Sequence, residues 1–179
     1  MSISIKALFL DRDGVINIDH GYVSKIENFE FSEGIFEFIK LFHRHGYKLF
    51  IVTNQSGIGR GYYTQKDFET LTSWMLEEFT KLGIEILSVE HCNHAPEENC
   101  SCRKPQTGMV DRILENYNVD LANSWMIGDK QSDIDLAHNS NIKHTIAIGE
   151  RKINNVDHVF KTIAECRGYF EENQDKIVL

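Results

Sequence analysis

Short, uninterrupted apolar runs alternate along the chain with longer segments in which apolar residues recur every three or four positions. The runs are typical of strands that are buried on both faces, and the periodic segments are typical of amphipathic helices. We therefore expect six strands, at residues 3–10, 48–53, 84–89, 124–127, 143–148 and 156–160. Helices are expected at residues 33–45, 65–82, 109–117, 132–139 and 162–173.

Two of these helices carry boundary signals. Ser32 is predicted to cap the first helix, which Gly46 would end, and Thr64 with Asp67 forms a capping-box pattern before the second. Repeated strand–helix units with right-handed crossovers predict a doubly wound α/β fold with a mainly parallel, Rossmann-like sheet. Because the chain shows no linker or internal repeat, we expect a single domain at residues 1–179.

Composition narrows the range of partners. Aspartate and glutamate outnumber lysine and arginine, 27 against 19, which gives a net charge of −8. This acidity argues against nucleic acid or an anionic membrane surface as a partner. No apolar stretch is long enough to span a bilayer and the N-terminus lacks a signal-peptide pattern, so a cytoplasmic protein is expected. No helical segment shows an excess of exposed apolar residues, which favours a monomer.

Reactive side chains follow three of the predicted strands, and a lysine precedes a helix between the second and the third. The groups are Asp11 and Asp13, Thr53 and Asn54, Lys104, and Asp129 with Asp133. A D-x-D pair alone is often just a solvated strand end. In open parallel sheets, however, ligands bind beyond the carboxyl ends of the strands, so these positions should converge on one edge.

Phosphoryl transfer is the chemistry that these groups suit. Asp11 can attack phosphorus and form an acyl phosphate, and Asp13 can protonate the leaving oxygen and then activate water. Thr53 and Lys104 can stabilise the equatorial oxygens as charge builds on them. Mg²⁺ held by Asp11, a carbonyl of the turn and Asp129 would neutralise the converging anions.

A second cluster combines cysteine and histidine. Cys92, His94, Cys100 and Cys102 lie within eleven residues, a spacing that fills the four positions of a tetrahedral site. We predict a structural Zn²⁺ ion in a small loop at residues 92–102. Free thiols and a Cys100–Cys102 disulfide are the alternatives, the latter disfavoured by its tight geometry. Cys166 lies in a helical pattern and is expected in the core.

The order of these motifs resembles the haloacid-dehalogenase (HAD) superfamily of Mg²⁺-dependent phosphatases. A closer resemblance is to the D-glycero-D-manno-heptose 1,7-bisphosphate 7-phosphatase family, and it covers nearly the whole chain, thinning after Gly149. The chain departs from the family's pattern in having only five residues between His94 and Cys100, fewer than in its best-known members. The motifs that carry the resemblance are residues 11–17, 19–22, 53–58, 92–105 and 126–130.

The resemblance implies a role for each matched position. Asp11 would be the nucleophile and Asp13 the proton donor, and Mg²⁺ would be held by Asp11, Asp13 and Asp129. Arg103 would recognise the substrate and Lys104 would steady the phosphoryl group. The implied substrate site comprises Asp19, His20, Gly21, Tyr22, Thr53, Asn54, Gln55, Ser56, Arg103, Lys104 and Lys130.

Three functions remain open from the sequence. Removal of the 7-phosphate of heptose 1,7-bisphosphate, in the pathway that feeds lipopolysaccharide, is the leading hypothesis, since the Arg103-Lys104 pair favours a doubly anionic substrate. Histidinol-phosphate phosphatase is the nearest alternative, because Asp19 could contact a cationic amino alcohol. A zinc-stabilised phosphosugar-binding module without catalysis is the third. The segments at residues 14–47 and 90–103 are too short for a large cap domain, which predicts an open site.

Overall fold

A computed structural model describes residues 4–177 and forms one six-stranded, all-parallel sheet. The strands are β1 (Ala7–Leu10), β2 (Lys48–Asn54), β3 (Ile86–Cys92), β4 (Trp125–Gly128), β5 (His144–Ile148) and β6 (His158–Phe160). Their order across the sheet is β3-β2-β1-β4-β5-β6. The winding direction therefore reverses between β1 and β4, and in such sheets the ligand crevice lies at that reversal.

Helices cover both faces of the sheet, as the doubly wound prediction requires. They are α1 (Ile35–Arg44), α2 (Ser56–Gly59), α3 (Gln65–Lys81), α4 (Gly108–Asn116), α5 (Gln131–Asn139) and α6 (Ile163–Glu172). Leu8 and Leu10 of β1 pack into one apolar cluster with residues of α1, α3 and α6. Ala7 and Phe9 point to the opposite cluster, which α4 and α5 close. Because its side chains alternate between the two clusters, β1 is buried on both faces of the sheet.

The predicted helix caps had mixed outcomes. Thr64 caps α3 as expected: its hydroxyl accepts a hydrogen bond from the Asp67 amide, and the Asp67 carboxylate accepts one from the Thr64 amide. The prediction for Ser32 was wrong, because α1 begins at Ile35 after Gly34, which adopts a left-handed conformation with φ 80°. Ser32 contributes its backbone carbonyl, which accepts from the Ile35 amide, rather than its side chain.

Every strand differs from its predicted bounds by at least one residue, and the first and third strands differ most. The first strand was predicted at residues 3–10, but β1 begins only at Ala7 and ends at Leu10. The first predicted residue, Ile3, lies outside the described residues. The third strand begins two residues late and continues to Cys92, so that Asn54 and Cys92 are paired in register. This extension joins the cysteine cluster directly to the end of β2.

Between β1 and β2 the chain forms a loop and α1, and between β3 and α4 it forms the cysteine loop. Neither segment contains a folded cap within residues 4–177, in agreement with the predicted open site. Along the same residues, no helix combines the length and the apolar character that crossing a bilayer requires.

Candidate active site and metal centres

The ends of three neighbouring strands bring the predicted reactive groups together. Asp11 follows β1, Thr53 and Asn54 close β2, and Asp129 follows β4. Asp133 joins them from the first turn of α5, where its Oδ2 accepts hydrogen bonds from the backbone amides of Asp129 and Lys130. The sequence pattern G-D-x-x-x-D therefore folds into a tight turn whose two carboxylates face the end of β1.

Lys104 is the buried cation of this site. Its ammonium group lies 2.8 Å from Asp11 Oδ1 and 2.7 Å from Asp133 Oδ1, and it also donates to the Val52 carbonyl at 2.9 Å. Asn54 positions the lysine, since its side-chain oxygen accepts from the Lys104 amide at 3.0 Å. Lys104 is thereby fixed where an ammonium can contact both a carboxylate nucleophile and an incoming phosphoryl group.

Three carboxylates form a candidate divalent-cation site. Ligand atoms of Asp11, Asp129 and Asp133 lie within 4.8 Å of one another, and all three residues are buried. Asp129 Oδ1 is buried without a hydrogen-bond partner. Converging hard oxygen donors with an unsatisfied oxygen suit Mg²⁺. The group includes Asp133, which the predicted ligand set did not contain, and it does not include the carboxylate of Asp13.

Burial changes the acidity of the expected nucleophile. Removal from water raises the pKa of Asp11 to about 7, with Lys104 opposing the rise and with Asp133 and Asp129 adding to it. Nucleophilic attack requires the ionised carboxylate. A divalent cation at these carboxylates would favour that ionised form.

Asp13 is not part of the three-carboxylate group and is held by surrounding donors. Arg12 donates to both of its oxygens, from Nη2 to Oδ1 at 2.9 Å and from Nε to Oδ2 at 3.1 Å. Asn17 donates to Oδ1 and Gln55 to Oδ2, each at 3.0 Å. This arrangement fixes the orientation of the carboxyl group two residues after Asp11, as a proton donor requires.

A cavity of about 360 Å³ opens beside these groups. It contains most of the predicted substrate residues, but neither His20 nor Thr53 lines it. His20 is exposed and pairs with Glu30 at 3.1 Å, whereas the buried Thr53 accepts a hydrogen bond from Gln55. The lining residues are Asp11, Asp13, Asp19, Gly21, Tyr22, Asn54, Gln55, Ser56, Tyr63, Arg103, Lys104, Lys130, Ser132 and Asp133.

The loop at residues 19–22 forms one rim of the cavity. Gly21 and Tyr22 both have positive φ, 77° and 52°, and Asp19 Oδ1 accepts from the Gly21 amide at 3.0 Å. Asp19 Oδ2 lies 3.4 Å from the ammonium of Lys130. On the other side, Arg103 presents a buried Nη1 that has no hydrogen-bond partner. An unsatisfied guanidinium donor beside a cavity is suited to a phosphate group.

The predicted cysteine–histidine cluster forms a second candidate metal centre. Cys92 Sγ lies 3.5 Å from Cys100 Sγ and 3.6 Å from His94 Nδ1, and Cys102 Sγ lies 3.3 Å from the same nitrogen. Ligands about 2.3 Å from a tetrahedral Zn²⁺ would be roughly 3.8 Å apart, so this spacing fits such an ion with little movement. Burial opposes ionisation of Cys100, yet the backbone amides of Arg103 and Cys102 bring the pKa of its thiol down to about 7.

Sequence reasoning missed Arg151 and Tyr63. Arg151 pairs with Asp129 Oδ2 and also donates to the Asp129 carbonyl at 3.1 Å, whereas Oδ1 has no hydrogen bond and lies 3.8 Å from the Lys130 ammonium. Tyr63 lines the cavity and donates to Gln55 Oε1 at 2.5 Å. Neither residue lies in a recognisable motif, so only the folded arrangement identifies them.

Comparison with known proteins agrees with this architecture. A family model described as HAD-hydrolase-like matches residues 101–166. A Mesorhizobium loti protein described as HAD-like has a TM-score of 0.82 at 26% identity, covering 97% of this chain and 88% of its own. The D,D-heptose 1,7-bisphosphate phosphatase from B. bronchiseptica, solved with magnesium and phosphate, has a TM-score of 0.81 at 24% identity, covering 94% of this chain and 99% of its own. The fold and the site therefore define a HAD-type hydrolase.

Curated relatives specify the family. D-glycero-β-D-manno-heptose-1,7-bisphosphate 7-phosphatase of Helicobacter pylori is 51% identical over 144 residues, 80% of this chain and 83% of the relative. The corresponding α-anomer phosphatase of Campylobacter jejuni is 48% identical over 168 residues, 93% of this chain and 96% of the relative. The chain belongs to the D-glycero-D-manno-heptose-1,7-bisphosphate 7-phosphatase family, which confirms the resemblance read from its motifs.

Proposed function

We propose that the protein removes the 7-phosphate from D-glycero-D-manno-heptose 1,7-bisphosphate. The observation that carries the proposal is the position of Asp11, which is held by Lys104 beside a cavity that Asp13 and Arg103 also line, with Nη1 of Arg103 buried and without a hydrogen-bond partner. The relatives of this chain are named as phosphatases of this sugar bisphosphate.

The mechanism follows from the groups around Asp11. A carboxylate oxygen of Asp11 attacks phosphorus, the bond from phosphorus to the 7-oxygen breaks, and Asp13 gives its proton to that oxygen. Asp13, now ionised, accepts a proton from water, which attacks the aspartyl phosphate and releases inorganic phosphate and Asp11. Lys104 stabilises the charge on the equatorial oxygens. Mg²⁺ held by Asp11, Asp129 and Asp133 would supply charge neutralisation when bound.

The charges around the rim favour a bisphosphate over histidinol phosphate. Asp19, the acidic group that could have met a cationic amine, is engaged by Lys130 and by the Gly21 amide. The side chains of Arg103 and Lys130 bring positive charge to the cavity wall. These donors could contact a second phosphate, whereas a protonated amino alcohol would find Asp19 already paired.

Phosphate release in the presence of Mg²⁺ tests the proposal. The assay compares both anomers of heptose 1,7-bisphosphate with histidinol phosphate, because similarly close relatives are named for opposite anomers. We expect one heptose anomer to be the preferred substrate. Preference for histidinol phosphate would overturn the substrate assignment, and turnover of none of the three would favour a non-catalytic binding module.

An Asp11→Asn variant tests the mechanism in the same assay. It should retain its circular dichroism spectrum and lose turnover, because an amide is not a nucleophile toward the phosphoryl group. Undiminished turnover by this variant would exclude an Asp11-phosphate intermediate.

The cofactors and cellular context complete the proposal. We infer that the cysteine loop holds a structural Zn²⁺ ion, which its four converging ligand atoms support. We also infer that the protein acts as a monomer in the cytoplasm, where reduced thiols persist. The product would feed the heptose pathway of lipopolysaccharide synthesis.

A further inference from the structure

Gln55 is the donor to Asp13 that comes from a different strand. Arg12 and Asn17 belong to the same turn as Asp13, whereas Gln55 reaches it from the end of β2. Gln55 is only 2% exposed, so its amide depends on protein partners for its hydrogen bonds. The direction in which this amide points decides whether Asp13 Oδ2 receives a donor from that side.

The hydrogen bonds of Gln55 use both ends of its amide. Nε2 donates to Asp13 Oδ2 at 3.0 Å and to Thr53 Oγ1 at 2.8 Å. Oε1 accepts from the hydroxyl of Tyr63 at 2.5 Å. Once Asp13 has given up its proton, its carboxylate only accepts hydrogen bonds, so Nε2 faces it and Oε1 is left for a donor on the other side. Tyr63 supplies that donor.

We propose that Tyr63 is a positioning residue for Asp13, acting through Gln55. The inference rests on the proposed function, in which Asp13 delivers a proton to the leaving oxygen. Tyr63 holds the Gln55 amide in the orientation that directs Nε2 at Asp13, and the Asp13 carboxyl group is thereby aimed consistently toward the cavity. Without the tyrosine hydroxyl, Oε1 loses the donor that supports this orientation of the amide.

The position and chemistry of Tyr63 suit this role. The tyrosine is 9% exposed, and a Cβ atom added at Gly57 would lie only 2.1 Å from Tyr63 Cε1. The ring is therefore packed directly against the backbone of α2. Burial raises the pKa of the Tyr63 hydroxyl to about 12, with Arg12 opposing, so the phenol remains a hydrogen-bond donor at neutral pH.

The neighbouring Tyr62 provides a matched control. It is 61% exposed, and its ring packs edge-on against Tyr22 at a centroid distance of 4.7 Å. Replacing either tyrosine with phenylalanine removes one hydroxyl and keeps the ring. A comparison of Tyr63→Phe with Tyr62→Phe therefore isolates the hydrogen bond to Gln55.

The test uses two substrates that differ in their need for a proton. The heptose alkoxide is a poor leaving group and requires general-acid assistance, whereas the phenolate of p-nitrophenyl phosphate leaves without it. The quantity measured is kcat/KM, which reports on the steps up to departure of the leaving group. For Tyr63→Phe we expect a loss of about tenfold or more with heptose 1,7-bisphosphate and a much smaller loss with p-nitrophenyl phosphate.

Asp13→Asn should show the same substrate dependence with a larger loss, and Tyr62→Phe should match the wild type with both substrates. Adding Tyr63→Phe to Asp13→Asn should cause no further loss with heptose 1,7-bisphosphate, because the two residues act on one step. Equal losses on both substrates, or an additive loss in the double variant, would overturn the role of Tyr63. If the wild type hydrolyses neither substrate, it is the proposed phosphatase function that fails.

Discussion

The ammonium of Lys104 lies 2.8 Å from Asp11 Oδ1 and 2.7 Å from Asp133 Oδ1, and all three side chains are almost completely buried. One buried cation therefore faces two buried carboxylates. Asp129 adds a third carboxylate to the same group, and Arg151 pairs with its Oδ2. The excess of buried negative charge favours a divalent cation at this position, and the two short contacts of Lys104 indicate that it stabilises the fold.

Lys104→Met should destabilise the protein strongly. The change leaves Asp11 and Asp133 buried without their cation, and the loss of one partner of a buried pair costs about 3–5 kcal/mol. Urea unfolding without added metal measures the effect. Lys161→Met, which removes an exposed lysine that lies 3.9 Å from Glu150, is the control and should change the free energy of unfolding by less than about 1 kcal/mol. Similar losses in the two variants would contradict this account.

Gly14→Ala should weaken Mg²⁺ binding. Gly14 has φ +89°, and a Cβ atom there would lie 2.5 Å from Asp129 Cγ, so the new methyl group must displace the carboxylate. We expect the dissociation constant for Mg²⁺, measured by calorimetry, to rise by about tenfold or more. Gly46→Ala is the matched control, because Gly46 has φ +84° but a Cβ atom there would meet nothing within 4 Å. It should lose some stability through backbone strain and keep its Mg²⁺ affinity.

Two histidines should make stability fall in mild acid. His144 and His158 stack on Trp125, and burial lowers the pKa of both imidazoles, with Asp157 opposing. The folded chain therefore binds fewer protons than the unfolded chain. This contribution is fully present above the unfolded pKa of about 6.5 and is lost as the pH falls through the lower folded values.

The free energy of unfolding, measured in urea at about pH 7.5 and about pH 5.5, gives the slope. A double variant, His144→Phe with His158→Phe, keeps the aromatic stack and removes both imidazoles. Its free energy of unfolding should fall less than that of the wild type between the two pH values. An unchanged slope would mean that other groups, such as the buried carboxylates, dominate the acid response.

The sheet and the convergence of the site could be predicted because local pattern determines them. The apolar run of β1 ends directly in Asp11, and that of β4 ends in Gly128 before Asp129. Parallel pairing of these strands then brings their ends together with little dependence on loop detail. The capping box at Thr64 and Asp67 was likewise predictable, because its hydrogen bonds join residues three positions apart.

Features that depend on the path of the loops could not be predicted from the sequence. Ser32 is a good cap by type, but Gly34 takes the cap position because its left-handed backbone redirects the chain into α1. Arg151 reaches Asp129 because Gln131 exchanges hydrogen bonds with the backbone of Asn154 and holds the intervening loop against α5. Contacts of this kind join residues about twenty positions apart and leave no periodic signal in the sequence.

The cysteine loop should hold neighbouring residues of the phosphatase site in position. Cys92 pairs in register with Asn54, and its carbonyl accepts from the Gln55 amide at 2.7 Å. At its other end the loop runs from Cys102 directly into Arg103 and Lys104. Loss of the metal should therefore disturb both Lys104 and the residues after β2.

Cys92→Ala should accordingly release zinc, lower the melting temperature and reduce turnover, because three ligands no longer close a tetrahedral site. Cys166→Ala is the matched control: this thiol is also buried, but it lies in α6 and should leave the zinc content unchanged. Zinc is measured by mass spectrometry of the purified protein and stability by calorimetry. Chelation of zinc from the wild type should lower the melting temperature more than removal of Mg²⁺ does. Equal melting temperatures after the two treatments would show that the cysteine loop holds its shape without a metal.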